Sequence, residues 1–211
     1  MTKFKSLKTK LITSTVSIVL ITAILNLVIG VYASYKSITQ NVNSDLKSIG
    51  ETAQVAIDNS LDKMKDNIDS VAKSDQIGKT GAGKADTLLM LNNEKKVFGY
   101  KSLSIVTEDG TIVSGDASLN GKSVADQEYF KKAMEGQTYI STTTYDVNKT
   151  LCVVACAPVS NGNNFKGAVM ATYDPQVYSS IIKNIVVGKT GNVYMMDKTG
   201  VIIANIRPKS V

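Results

Sequence analysis

Leu103-Ser-Ile-Val-Thr-Glu-Asp-Gly-Thr-Ile-Val113 sets apolar residues in alternation on either side of Asp109-Gly110, the pattern of a β-hairpin. Residues 103–106 read as one strand, 108–111 as the tight turn and 111–114 as the return. Asp109 and Gly110 are expected to supply the positive φ such turns need. Working toward the C-terminus, 115–122 is loop, and Ser123, three residues before Asp126, opens a helix that Gly136 stops. Residues 138–144 and 151–159 pair around Asp146-Val-Asn-Lys149, Ser160-Asn-Gly-Asn-Asn164 turns, and 165–173 is a further strand. Asp174-Pro175 then opens a helix that runs to about Asn184. The expected class is α+β: an antiparallel PAS-like sheet with flanking helices.

The last 24 residues repeat the hairpin texture, with Asp197-Lys-Thr-Gly200 at the turn. A second sheet starts here. Two strands bury too little to stand alone, so the chain is expected to be the front part of a longer protein.

Working toward the N-terminus, residues 85–96 read as a short helix. Ile77-Gly-Lys-Thr-Gly-Ala-Gly83 has the flavour of a phosphate loop, but Lys73 stands where the first glycine of that motif belongs, so it reads as a plain loop. Before it, Ile38, Val42, Leu46, Ile49, Ala53, Ile57, Leu61, Met64, Ile68 and Val71 recur at gaps of three and four. The mean gap of about 3.67 keeps the apolar stripe straight along a helix. Gly50 costs about 1 kcal/mol there, too little to end the pattern. A helix over 34–73 would extend about 60 Å, more than one small sheet can cover, so the stripe is expected to pair two subunits as a homodimer.

Residues 11–33 carry no charge and would reach roughly 34 Å as a helix, enough to cross a hydrocarbon core of about 30 Å. Lys3, Lys5, Lys8 and Lys10 flank the run without an acid, which places the N-terminus in the cytoplasm and everything from Ser34 outside the cell membrane. The alternative is a signal peptide cut after Ala33, but such apolar cores usually run only about 7 to 15 residues.

Composition narrows the chemistry. The net charge of +6 is concentrated at the membrane end: the first 33 residues hold four lysines and no acid, which leaves +2 for the rest. The basicity is therefore a topology signal and gives no reason to expect nucleic acid. Histidine is absent and Arg207 is the only arginine, which excludes a histidine base or metal ligand and leaves nearly the whole chain without a guanidinium. Cys152 and Cys156 lie four apart on one strand, about 13 Å at Cα, too far for a disulfide. Two thiolates without a third ligand make a poor zinc site, so both read as buried apolar thiols. No nucleophile–base pair, metal cluster or phosphate loop emerges, so no catalytic residue, metal or cofactor is expected and the chain does not read as an enzyme.

The order and spacing of these pieces resemble the extracellular double Cache domain of bacterial transmembrane sensors, especially methyl-accepting chemotaxis proteins. The matching stretches are the membrane and stalk helices, 105–113, Gly121-Lys-Ser-Val-Ala-Asp-Gln-Glu-Tyr-Phe-Lys-Lys-Ala133, Ala157-Pro-Val159, Gly167-Ala-Val-Met-Ala171 and Gly191-Asn-Val-Tyr-Met-Met-Asp-Lys-Thr-Gly200. The resemblance implies a cytoplasmic N-terminus (1–10), a transmembrane helix (11–33), a stalk (34–76), a membrane-distal module (77–185) and the start of a membrane-proximal module (186–211). It also implies a sensor that binds a small molecule in the distal module and reaches cytoplasmic signalling partners through a later region absent from this sequence. A histidine kinase or a diguanylate cyclase could carry the same front half. A pilin-like subunit is disfavoured, because no acid interrupts the apolar run before Asp45.

In members that bind amino acids, an arginine and an aromatic pair on the helix hold the ligand carboxylate, and an aspartate late in a strand holds the ammonium. Here the arginine position falls on Gln127, the aromatics on Tyr129 and Phe130, and the aspartate on Thr172, while Asp174 lies two residues further on. Tyr145 and Asp146 lie near the family's contributing loop. Lys131 offers a positive charge on a surface helix, where lysine is usually solvated. Tyr129 and Phe130 read equally well as core, and Asp146 as a turn residue. With both charged anchors missing, the expected ligand is neutral or weakly cationic.

The topology has a direct check. In intact cells, Ser118→Cys should react with a membrane-impermeant thiol reagent and Ser6→Cys should not; labelling at position 6, or release of a form cut after Ala33, would overturn the assignment.

Overall fold

A computed structural model describes residues 7–75, 77, 85–114, 116–159, 166–188 and 191–206. Lys3, Lys5, the loop expected over 78–83, the turn at 160–164, and Arg207 lie outside the described residues. The chain divides into two units, 1–51 and 52–211.

Helix α1 spans Leu7–Ala72. In the first unit its apolar side chains are exposed, Leu11 to Tyr35 among them, and it is long and apolar enough to cross a membrane. Five polar residues of this stretch bond back along the helix. Thr13, Thr15, Ser17 and Thr22 hydroxyls donate to carbonyls four residues back at 2.7–3.0 Å, and Asn26 Nδ2 donates to Thr22 O at 2.8 Å.

In the second unit the same stripe is progressively buried: Ile57 and Leu61 partly, then Met64, Ile68, Val71 and Ala72 fully. The helix ends at Ala72, where Ser74 N–H reaches back only three residues to Val71 O and the chain turns to return Ile77 to the core. Helix α2, Ala85–Phe98, follows. Tyr100 N–H then closes onto Lys95 O at 3.0 Å, a helix-ending bond made possible by Gly99.

The sheet contains β1 (Ser102–Thr107), β2 (Ile112–Ser114), β3 (Tyr139–Tyr145), β4 (Leu151–Pro158) and β5 (Gly167–Tyr173), all antiparallel in the order β2-β1-β5-β4-β3. Every residue of the central strand β5 is buried. Alternation divides the neighbouring strands between two apolar clusters. Leu103, Ile105, Val153, Ala155, Val169 and Ala171 join the α1 and α2 residues, whereas Val106, Cys152, Val154, Cys156, Ala168 and Met170 face α3 (Glu128–Met134). A second hairpin of β6 (Val193–Met196) and β7 (Ile202–Ile206) forms its own two-stranded sheet. Ala204 shares the first cluster with Tyr178 and Ile182 of α4 (Val177–Ile182), so the first core supports this hairpin.

Three local expectations need correction. The helix expected from Asp126 begins at Glu128, because Ser123 is held in an extended bridge with Thr111 and its Oγ accepts only the Ala125 N–H, at 3.3 Å. The helix expected from Asp174 begins at Val177; Asp174 Oδ1 instead accepts the Gln176 N–H at 2.8 Å in the preceding turn. In the first hairpin only Gly110 takes positive φ, at 85°. A side chain there would also meet Ala125 at 2.7 Å, so both φ and space require glycine.

Cys152 and Cys156 are free and buried on one face of β4. Burial pushes the Cys152 thiol up to about 11 and the Cys156 thiol to about 12, against an ordinary value of 9.0. Neither should react with a water-soluble alkylating reagent at pH 8 in the folded chain, and both should react once it is denatured. As pH rises from about 9 toward 11–12, the unfolded chain gives up these protons while the folded chain keeps them, so chemical denaturation should show stability falling across that window.

Candidate functional site

The site is built from the end of the sheet where the α3-facing row changes from apolar to polar. On β1 the row runs Val106, Ser104, Ser102; on β5 it runs Ala168, Met170, Thr172. Ser102 and Thr172 are direct cross-strand partners, both buried, with their hydroxyl oxygens 2.6 Å apart. Lys101 N–H donates to Thr172 O at 2.7 Å, carrying the pairing one residue further. Next to Thr172 on β4 come Val154 and then Cys152.

Above this row sit α3 and two loops. Tyr129 and Phe130 are buried in the α3-side cluster with Leu119 and Val124. Burial, reinforced by the neighbouring Cys156 and Cys152 thiols and the Asp146 carboxylate, pushes the Tyr129 hydroxyl above its ordinary range. The Cys152 thiol lies within the electrostatic reach of both Asp146 and Lys101.

Asp146 shapes the β3–β4 turn. Its Oδ1 accepts the N–H groups of Asn148 and Thr150, each at 2.8 Å, while Lys149 takes the left-handed conformation at φ 60°. Asn148 ties that turn to the 116–122 loop, donating from Nδ2 to Ser118 Oγ at 3.3 Å and accepting from Lys122 Nζ. The Ser118 hydroxyl and N–H hold Asp116 below the usual carboxylate range, with Lys95 adding to the effect.

Of the six residues singled out from the sequence, Tyr129 and Phe130 are buried on α3, Thr172 stands on the α3-facing row, and Asp146 lies close enough to Tyr129 to help raise its hydroxyl. Gln127 is exposed at the N-cap of α3 with no side-chain capping bond. Tyr145 is 63% exposed and lies opposite Leu151, on the face that Val153 shares, which turns it away from Tyr129. Its neighbour Thr144, opposite Cys152, occupies the α3-facing side instead. Lys101, Ser102, Ser118 and Asn148 were not singled out. The signal for Ser102 was the Ser-Leu-Ser-Ile alternation, which puts serines where a purely structural face would carry valines. A cavity of about 270 Å³ opens beside Ser102, lined by Asn92, Lys95 and Asp116 among others. It offers an amide, an ammonium, a carboxylate and a hydroxyl next to the Ser102–Thr172 pair.

A family model described as the Cache domain matches residues 33–211. No curated protein matches the sequence. Among solved structures, the ligand-binding domain of the Campylobacter jejuni chemoreceptor Tlp3 in complex with 4-methylisoleucine aligns with a TM-score of 0.64 at 9% identity, covering 79% of this chain and 70% of that one. The sensor domain of the V. cholerae histidine kinase DctB aligns at 0.63 and 16% identity, over 79% and 67%. The ligand-binding domain of the Pseudomonas fluorescens chemoreceptor CtaA, in complex with L-serine, gives 0.64 and 14%, over 78% and 72%. At these identities the likeness is one of fold.

The hydroxyl pair gives a measurable energy. Thr172→Val keeps the shape but strands the Ser102 hydroxyl in the interior, which should cost about 1–3 kcal/mol in urea denaturation. Adding Ser102→Ala should recover much of that loss, because both polar groups are then gone.

Proposed function

The chain belongs to the Cache domain family, and on that premise we propose that it is the extracellular ligand-sensing portion of a transmembrane chemoreceptor. The N-terminus is cytoplasmic, residues 11–33 anchor the chain, and 34–76 form the stalk. Residues 77–185 are the distal, ligand-binding module and 186–211 the start of the proximal one. The stalk stripe pairs two copies, and the signal passes through it to cytoplasmic partners carried elsewhere. The same front half suits a histidine kinase or diguanylate cyclase, and the fold shared with the DctB sensor keeps the kinase reading as the second choice.

The observation that carries the ligand reading is the polar end of the α3-facing row, where the Ser102 and Thr172 hydroxyls meet on the sheet face that α3 and Tyr129 cover, and no arginine stands among the described residues. Tyr129 offers an aromatic wall, Thr172 and Ser102 hydroxyls, and Asp146 a carboxylate whose Oδ2 takes no part in the turn. Gln127 and Phe130 flank the helix side, with Tyr145 outside the rim. Without a bidentate cation, a carboxylate ligand forfeits a charge-assisted contact worth roughly tenfold to a hundredfold in affinity. A neutral or weakly cationic molecule such as a nucleobase, amine or polyol fits better. The chain works by binding and not by catalysis.

Thermal-shift screening of the detergent-solubilised chain tests this reading. A nucleobase, amine or polyol should raise the melting temperature, and Tyr129→Ala and Asp146→Ala should abolish the shift, with Tyr129→Phe as the variant that keeps the packing. If only ordinary α-amino acids stabilise the chain, or the substitutions leave the shift intact, the reading fails.

A further inference from the structure

An irregularity in β3 decides which of its side chains reach the candidate site. Tyr139 and Ile140 stand opposite Cys156 and Ala155, whereas Thr143, Thr144 and Tyr145 stand opposite Val153, Cys152 and Leu151. Ser141 and Thr142 therefore share Val154, a bulge of one extra residue. A regular ladder would set Thr142 against Val153 and Thr143 against Cys152. It would also put Tyr145 on the α3-facing side with Tyr139, because a shift of one residue exchanges the two faces. The bulge thus keeps Tyr145 away from Tyr129.

Side chains hold the bulge, and one of them comes from another element. Ser141 Oγ accepts the Val154 N–H at 2.8 Å and donates to Thr142 O at 2.7 Å. The Ser141 carbonyl accepts from the Tyr178 hydroxyl of α4 at 2.5 Å. Ser141 and Tyr178 are both buried, so water does not compete for this bond. The rest of the ribbon is less well satisfied. Thr143 Oγ1 is buried and meets no hydrogen-bond partner among the described residues. Lys149 in the turn is left-handed at φ 60°, a costly conformation for a residue with a side chain. β3 is also an edge strand, so moving its last residues disturbs only the ladder with β4.

We propose that β3 has two registers and that Tyr178 locks the observed one, a regulation of the candidate site that rests on the ligand reading for its purpose alone. When α4 draws the hydroxyl back, Ser141 and Thr142 straighten and residues 142–145 slide by one position. Thr143 then replaces Thr144 opposite Cys152 and leaves the place where its hydroxyl is stranded. The turn gains Tyr145, Lys149 is released from its left-handed conformation, and the Asp146 bonds to Asn148 and Thr150 open. Tyr145 swings to the side that Tyr129 occupies, where a second aromatic narrows the site. Tyr178 shares its core with Ala204 of β7, so a displacement of the second hairpin reaches the bulge through α4. Two discrete arrangements of one edge strand make the device bistable.

Disulfide trapping in the detergent-solubilised full chain reads the register directly, because the native Cys152 faces a different residue in each. Directly opposed residues of an antiparallel pair stand about 4.5–5.5 Å apart at Cα, within disulfide range, whereas side chains on opposite faces point apart. With diamide as oxidant, Thr144→Cys should bridge to Cys152 in the observed register. Thr143→Cys should bridge to it more slowly, by way of the slide. Tyr178→Phe, which keeps the ring and removes the hydroxyl, should speed the Thr143→Cys bridge by about tenfold. Cys156 should stay shielded from alkylation throughout, showing that the sheet remains folded. The proposal is overturned if Thr143→Cys bridges no more than the exposed Thr142→Cys does, or if Tyr178→Phe leaves its rate unchanged. Bridging accompanied by alkylation of Cys156 would report unfolding and equally overturn it. No ligand enters the measurement, so its failure leaves the ligand reading intact, and failure of the thermal-shift screen leaves the two registers intact.

Discussion

Strand β5 is buried at every residue, and that constraint organises the unit from residue 52 onward. A central strand with two covered faces cannot alternate between core and solvent, so both sides of its neighbours must also be roofed. On one side the roof is the last turns of α1, with α2 and α4; on the other it is α3 and the loops around it. Small residues make this possible. Gly167, Ala168 and Ala171 on β5, with Ala155 and Ala157 on β4, leave room for the larger side chains of Ile68, Tyr129 and Phe130 to close in.

Burial on both faces also explains why the polar pair at Ser102 and Thr172 is informative. A hydroxyl in such a place loses water and must find a partner, and each finds the other. Nothing in the packing of the sheet calls for them, since alanine at 102 and valine at 172 would fill similar volumes. The pair stands at the end of the row beside Lys101, whose N–H donates to Thr172 O, with Val154 of β4 opposite Thr172 and Cys152 two positions along that strand. The surrounding loops are fixed by one repeated device. The turns at 107–111, 146–150 and 197–201 each close with the N–H of the first residue on the carbonyl of the fifth and a left-handed residue at the fourth. Three hairpins are thus set by the same local chemistry, and the one beside the site carries lysine where the others carry glycine.

Much of the fold was legible in local pattern. Alternation located the strands, and the stripe from Ile38 to Val71 located the helix that the structure follows to Ala72. The cysteine spacing alone excluded a disulfide. The errors came where a short local signal competed with a tertiary bond: Ser123 has the form of a helix cap but pairs with Thr111, and Asp174 has the form of a cap but serves a turn. The candidate site was legible in part. Tyr129 and Thr172 both lie on the α3-facing side and Asp146 in the β3–β4 turn, whereas Tyr145 is turned to the other face by a register shift in β3 between Ile140 and Thr143. A bulge of that kind has no reliable mark in the sequence, yet it sets which face every later residue of the strand presents.

The sequence by itself determined an apolar helix long enough to cross a membrane, the antiparallel character of the sheet, the separation of the two cysteines and the lack of an arginine between residues 34 and 206. These follow from residue type and from periods of two and three to four, which are properties of neighbouring residues. Only the tertiary structure decided that Ser102 stands against Thr172, 70 positions away, that Thr144 and not Tyr145 faces the helix, and that Asp69 of α1 accepts a hydrogen bond from Thr138. These depend on strand order and on register, which are fixed by how whole faces pack together. No local pattern encodes them.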